Sequence, residues 1–87
     1  MEKSQEMQVG KVTHYFTKIG VAIIEVTDGN IKLGDELHIK GHTSDFKQRV
    51  DSMQIEMDKI EMAEPGQAIG LKVKEPVRTN DMVYKEI

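Results

Sequence analysis

The sequence predicts an all-β fold, a small closed antiparallel β-barrel of six to seven strands, and three observations predict it. Apolar residues alternate with polar ones in short runs, as on a half-buried pleated strand. Clusters of Gly, Pro, Asn and Asp separate these runs and mark turns. No run has the apolar stripe of an amphipathic helix, and many short strands joined by tight turns are the pattern of a small barrel. With 87 residues there is room for a single core. Residues 1–7 lack a periodic apolar pattern and are expected to be a flexible N-terminus, leaving residues 8–87 as one barrel domain.

The first strand is expected from Gln8 through Phe16, with Val12, His14 and Phe16 on one face and Lys11, Thr13 and Tyr15 on the other. Gly10 inside it marks a bulge or a close backbone approach. Residues 17–20 reverse the chain into a run carrying Val21, Ile23, Ile24 and Val26, apolar on both faces apart from Glu25 and therefore expected to be central. Asp28, Gly29 and Asn30 tolerate positive φ and turn the chain again. Ile31 and Leu33 then face one way, Gly34 and Asp35 bend the chain, and Leu37 and Ile39 alternate with His38 and Lys40.

Residues 41–45 are polar and turn-rich, and a long strand is expected from Phe46. In it Phe46, Gln48 and Val50 share a parity, whereas Met53, Ile55 and Met57 have the opposite one, so a bulge or corner is expected near Asp51 and Ser52. Residues 59–63 read as a short strand or a helical turn, a strand being preferred because Glu64, Pro65 and Gly66, with the residue order of a type II turn, stop it sharply. Ile69, Leu71 and Val73 line one face of the next strand, Glu75 and Pro76 break it, and residues 82–85 form the closing strand.

Charged residues make up 31% of the chain and the net charge is −3. That balance argues against nonspecific nucleic-acid binding as the main activity, because such binding is driven by phosphate neutralisation. The absence of cysteine excludes disulfides, thiolate nucleophiles and Cys-based zinc sites. No stretch is apolar enough to span a bilayer and residues 1–7 lack the apolar core of a secretory signal, so a cytoplasmic location is expected.

Chemistry-bearing clusters are few. His38 and His42 flank a turn, and Asp45 would have to join them to hold a metal; half-exposed structural histidines are the expectation, and no metal or cofactor is expected. His14 is expected to pack on its aromatic neighbours. Ser44 and Ser52 lie outside any nucleophile-elbow motif, and the carboxylates are scattered over turns and outward positions. Asp35 and Asp81 are expected to accept backbone N–H bonds in turns. No nucleophile, base and orienter can be assembled, so the chain is not expected to be an enzyme. The most basic stretch, His38, Lys40, His42, Lys47, Gln48 and Arg49, with only Asp45 opposing it, is the candidate surface for RNA or a protein partner. Phe46 is expected to anchor the core. Met53, Met57 and Met62 either fill the core or, if exposed, offer an adaptable protein contact.

The ordered set Val9-Gly10-Lys11-Val12, Gly29-x-Ile31-Lys32-x-Gly34-Asp35-x-Leu37, Pro65-Gly66-Gln67-Ala68-Ile69-Gly70-Leu71 and Asp81-Met82-Val83-Tyr84 resembles the second domain of the translation GTPases, such as elongation factor Tu and initiation factor two. The resemblance implies a closed barrel of the translation-protein type and contacts to ribosomal RNA or the acceptor end of transfer RNA. It implies no GTP hydrolysis, since a Gly-x-x-x-x-Gly-Lys-Ser/Thr loop is absent. Pro65-Gly66-Gln67 and residues 77–84 are also similar to the C-terminal barrel of the collagenase-like peptidase family, whose members include transfer-RNA-modifying proteins. The first resemblance implies a noncatalytic module contacting RNA or the ribosome, and the second a protein-interaction or lid module that partners such a peptidase.

Overall fold

A computed structural model describes residues 5–86. The elements are β1 (Glu6–Phe16), β2 (Val21–Val26), β3 (Ile31–Lys32), β4 (Glu36–Lys40), β5 (Asp45–Arg49), β6 (Met53–Ile55), β7 (Asp58–Ile60), β8 (Met62–Ala63), β9 (Ala68–Lys72) and β10 (Met82–Glu86). The described residues are thus all β and turn, as the alternating pattern requires, but in ten short strands where six to seven were expected. The frayed end expected for residues 1–7 lies outside the described residues as far as residue 4. Glu6 and Met7 belong to β1 and pair with Glu86 and Lys85.

Eight strands form one antiparallel sheet in the order β5-β4-β10-β1-β2-β9-β6-β7, and β3 pairs separately with β8. The expected closed barrel is not formed: among the described residues no ladder joins β5 to β7, the two ends of the order. The long strand expected from Phe46 explains why. It breaks at Val50, whose N–H bonds Asp35 C=O at 2.8 Å while its C=O accepts from Gly34 N–H at 2.9 Å, tying the chain to the turn before β4. β6 then resumes with reversed parity and meets β9 only at Gln54 and Gly70. The face swap near Asp51 and Ser52 is therefore a gap between two strands.

β1 bends twice. Its register with β10 slips between Gln8 and Gly10, the bulge expected at that glycine, where an added Cβ would press on Glu25 C=O and stand 3.1 Å from Ile24 Cγ2. Its register with β2 slips again between Val12 and His14. This second bulge sends Val12 into the core but leaves His14 and Phe16 outside, correcting the single shared face read for the three. The expected type II turn forms at Glu64–Gln67: Gln67 N–H bonds Glu64 C=O at 3.1 Å and Gly66 sits at φ +93°, where a side chain would be strained.

The core gathers the inward residues of the curled sheet, among them Val9, Val12, Ile24, Leu37, Ile39, Ile69, Leu71 and Val83, with Ile31 and Ala63 from the separate pair. Phe46 is buried with them, as expected of a core anchor. β2 is interior to the sheet, flanked by β1 and β9.

Candidate functional site

β4 and β5 form a hairpin whose alternation divides the sequence-predicted surface in two. Outward positions pair Glu36 with Arg49, His38 with Lys47 and Lys40 with Asp45. The first and last of these pairs set opposite charges directly across the ladder, which stabilises it locally and cancels at a distance, whereas His38 stands opposite a second cation. The predicted basic stretch is therefore largely offset by Glu36 and Asp45 within the hairpin and by Glu6, which comes from β1. His38 Nδ1 lies 2.9 Å from Glu6 Oε2 on β1, and its Nε2 lies 2.6 Å from Asp45 Oδ1. Both ring nitrogens face acceptor-only carboxylates, the arrangement that suits imidazolium. The Asp45 hydrogen bond, with the neighbouring Glu6 carboxylate, raises the His38 pKa above its ordinary 6.5 against the lowering effect of burial. Asp45 is correspondingly held below its usual 3.8. Lys40 Nζ sits 5.9 Å from the centroid of the Tyr84 ring on β10. His42 is exposed in the β4–β5 turn.

Gln48 separates from this face. It shares the inward parity of Phe46 and Val50, and its side-chain amide crosses to the far end of β9. There Nε2 donates to Lys72 C=O at 2.9 Å and Oε1 accepts from Lys74 N–H at 2.9 Å. Those two bonds flank Val73 as one residue of a parallel neighbouring strand would. A side chain thus stands in for a strand where β9 runs on past its contact with β6. The groove beside it, about 440 Å³, is lined by Gln48, Arg49, Asp51, Ser52 and residues 71–74. Leu71 and Val73 are buried beneath it, while Arg49, Lys72 and Lys74 are exposed on its rim. A second hollow of about 290 Å³ lies on the other side of Asp51 and Ser52, bounded by Leu33, Met53 and residues 59–61. Of the six predicted surface residues, the structure thus brings His38, Lys40, Lys47 and Arg49 onto one face, with Arg49 also at the groove, and assigns Gln48 to the groove alone. The groove residues Lys72 and Lys74 were missed because they lie far along the chain from Arg49.

The remaining candidates have local explanations. His14 stacks on Phe16 with centroids 4.6 Å apart, as expected. Ser44 is buried and its hydroxyl donates to Pro76 C=O at 3.4 Å. Asp35 and Asp81 accept backbone N–H bonds from Lys32 and Arg78, both at 2.9 Å, as read from the sequence; Asp35 also takes an ion pair from Lys85 at 3.1 Å. The methionines divide: Met53 fills the core, Met62 is half-exposed and Met57 is 90% exposed at the β6–β7 tip. Among the described residues no three His or carboxylate side chains converge as a metal site would require, and no helix is long and apolar enough to cross a membrane.

Comparison with known proteins gives this geometry a context. No protein-family model matches the chain. The crystal structure of the C-terminal domain of a Geobacillus thermoleovorans protein assigned to the U32 peptidases superposes with a TM-score of 0.84 at 26% identity, covering 100% of this chain and 99% of that domain. The chain is similar to a U32 peptidase C-terminal domain. A collagenase of Porphyromonas gingivalis is 39% identical over 82 residues, which cover 93% of this chain and 20% of the collagenase. An uncharacterized protease of Methanocaldococcus jannaschii is 35% identical over 83 residues, 94% of this chain and 20% of that protein. The chain thus spans about one fifth of the length of the curated relatives it matches. These relatives bear out the similarity to collagenase-like peptidases. They lend no support to the translation-factor resemblance or to the RNA and ribosome contacts it implied, and the compensated β4–β5 face weakens the electrostatic case for such contacts.

Proposed function

We propose that the chain is a noncatalytic interaction module that partners the peptidase portion of a U32-type, collagenase-like protein and acts there as a docking or lid element. The observation that carries the reading is the end-to-end match with an isolated C-terminal domain, set beside peptidase-family relatives in which the matching segment is about one fifth of the whole. The described residues support a noncatalytic role. His38 has both nitrogens held by carboxylates, His14 is stacked on Phe16, and the Ser44 hydroxyl is tied to a backbone carbonyl. His38 and Ser44 are thus committed to structural contacts.

The test is a calorimetric titration of the chain into the Porphyromonas gingivalis collagenase trimmed of the segment that this chain matches, with circular dichroism verifying that the trimmed protein is folded. Saturable 1:1 binding is expected. Absence of binding up to about 100 μM, equivalent to a free energy weaker than about −5.5 kcal/mol, would contradict the reading.

A further inference from the structure

The groove beside Gln48 has an unusual occupant. Lys72 C=O and Lys74 N–H form an acceptor and donor pair on a strand edge, and the group that satisfies them is the primary amide of Gln48, the side-chain equivalent of a peptide unit. The chemistry the edge selects is therefore an amide. The floor of Leu71 and Val73 is apolar, as beneath an added strand, and the rim carries three cations, Arg49, Lys72 and Lys74, against one carboxylate, Asp51. Among the described residues no ion pair within 4 Å engages those three cations. This local excess stands out in a chain of net charge −3, even with Glu36 across the ladder from Arg49, and contrasts with His38, whose two ring nitrogens both meet carboxylates.

We propose that this groove docks a short extended acidic peptide segment of the peptidase partner. The segment takes over the two backbone bonds made by Gln48 and places carboxylates beside Arg49, Lys72 and Lys74. Such edge addition gives affinity through main-chain bonds and specificity through side chains, here through charge. A nucleic-acid backbone fits less well, because phosphate oxygens offer no donor to Lys72 C=O and the aromatic Phe46 that would serve as a stacking platform is buried. The inference rests on the partner-module reading, and the experiment separates the two.

The trimmed collagenase is titrated with the wild-type chain, with K72E/K74E and with Gln48→Ala, and the ¹⁵N-labelled chain is separately titrated with a capped Glu-Val-Glu-Val-Glu peptide, its Lys counterpart and a single-stranded RNA oligonucleotide. K72E/K74E is expected to bind the collagenase about tenfold or more weakly, with reduced salt dependence, and Gln48→Ala at least as tightly as wild type. The acidic peptide is expected to shift the amides of residues 72–74 and the Gln48 side-chain NH₂, and the Lys peptide is not. Wild-type binding that K72E/K74E leaves unchanged, or that Gln48→Ala abolishes, would overturn the groove assignment while sparing the module reading. No wild-type binding would overturn the module reading, and the acidic peptide titration then decides the groove by itself: absent or misplaced shifts overturn it. RNA that moves the same amides with higher affinity would overturn the peptide assignment.

Discussion

Gly41 and Asp81 fix the β4–β5 hairpin against the turn that enters β10, and Gly41→Ala tests how rigidly. A Cβ built at Gly41 stands 2.9 Å from Asp81 Oδ2 and closer still to the Oδ1 and Cγ atoms. A long exposed side chain would yield at little cost, but Asp81 is only 5% exposed and short. Its Oδ2 accepts Arg78 N–H at 2.9 Å and its own N–H bonds Arg78 C=O at 3.1 Å. Moving the carboxylate aside breaks the first bond and leaves a buried charge undersatisfied, costing about 1–3 kcal/mol. Residual overpacking adds about 1 kcal/mol or more. The expected loss is about 2–4 kcal/mol, a fall in Tm of roughly 10–25 °C for a domain of this size. Asp81→Ala alone removes the acceptor and should cost about 1–2 kcal/mol. Once the carboxylate is gone the clash is gone, so Gly41→Ala added to Asp81→Ala should cost almost nothing. The cycle, measured by urea denaturation, should then give a coupling of about 2–4 kcal/mol, the whole cost of Gly41→Ala. Single-mutant costs that add, or a Gly41→Ala protein within about 0.5 kcal/mol of wild type, would refute the reasoning.

The remaining predictions concern the ion cluster, the core and the β6–β7 turn. His38 has a folded pKa raised above 6.5, so its contribution is complete below 6.5 and disappears as pH rises through the folded value; Asp45, held below 3.8, contributes above 3.8 and loses its share as pH falls through its folded value. The stability difference between wild type and His38→Gln, followed by urea denaturation, should therefore be largest between those limits and shrink towards alkaline pH; a difference that grows above neutrality would contradict the cluster. Ile39→Ala, at a position with no exposure, should cost about 2–5 kcal/mol, whereas Leu33→Ala at an exposed position should cost under about 1 kcal/mol in the same assay. Glu56 and Met57 both hold positive φ, at 49° and 71°, in a two-residue hairpin turn that favours Asn-Gly. The E56N/M57G protein should melt higher, by about 1 kcal/mol of added stability, and a lower Tm would argue against that turn geometry.

The sequence made local features legible and left nonlocal ones hidden. The Pro65–Gly66 turn, the Gly10 bulge, the His14–Phe16 contact and the carboxylate turns at Asp35 and Asp81 all depend on residues within a few positions of each other, and all formed where read. Barrel closure did not, because it depends on whether β5 continues through Val50, and that is decided by Gly34 and Asp35 in the turn between β3 and β4. The second bulge in β1 carries no glycine to announce it. The basic stretch is offset by Glu6, a side chain that reaches His38 from β1 across 32 residues of sequence, and by Glu36, which only the hairpin register sets opposite Arg49. Gln48 is the instructive case: its parity with Phe46 and Val50 already separated it from Lys47 and Arg49, whereas its partners Lys72 and Lys74 are set by the fold.

The most direct test of the partner-module account follows the ¹⁵N-labelled chain by NMR as the trimmed collagenase is added. The account predicts broadening or loss of the resonances of Arg49 and residues 72–74 at stoichiometric partner, with the outward β4 residues Glu36 and Lys40 much less affected. A spectrum unchanged in excess partner would contradict it.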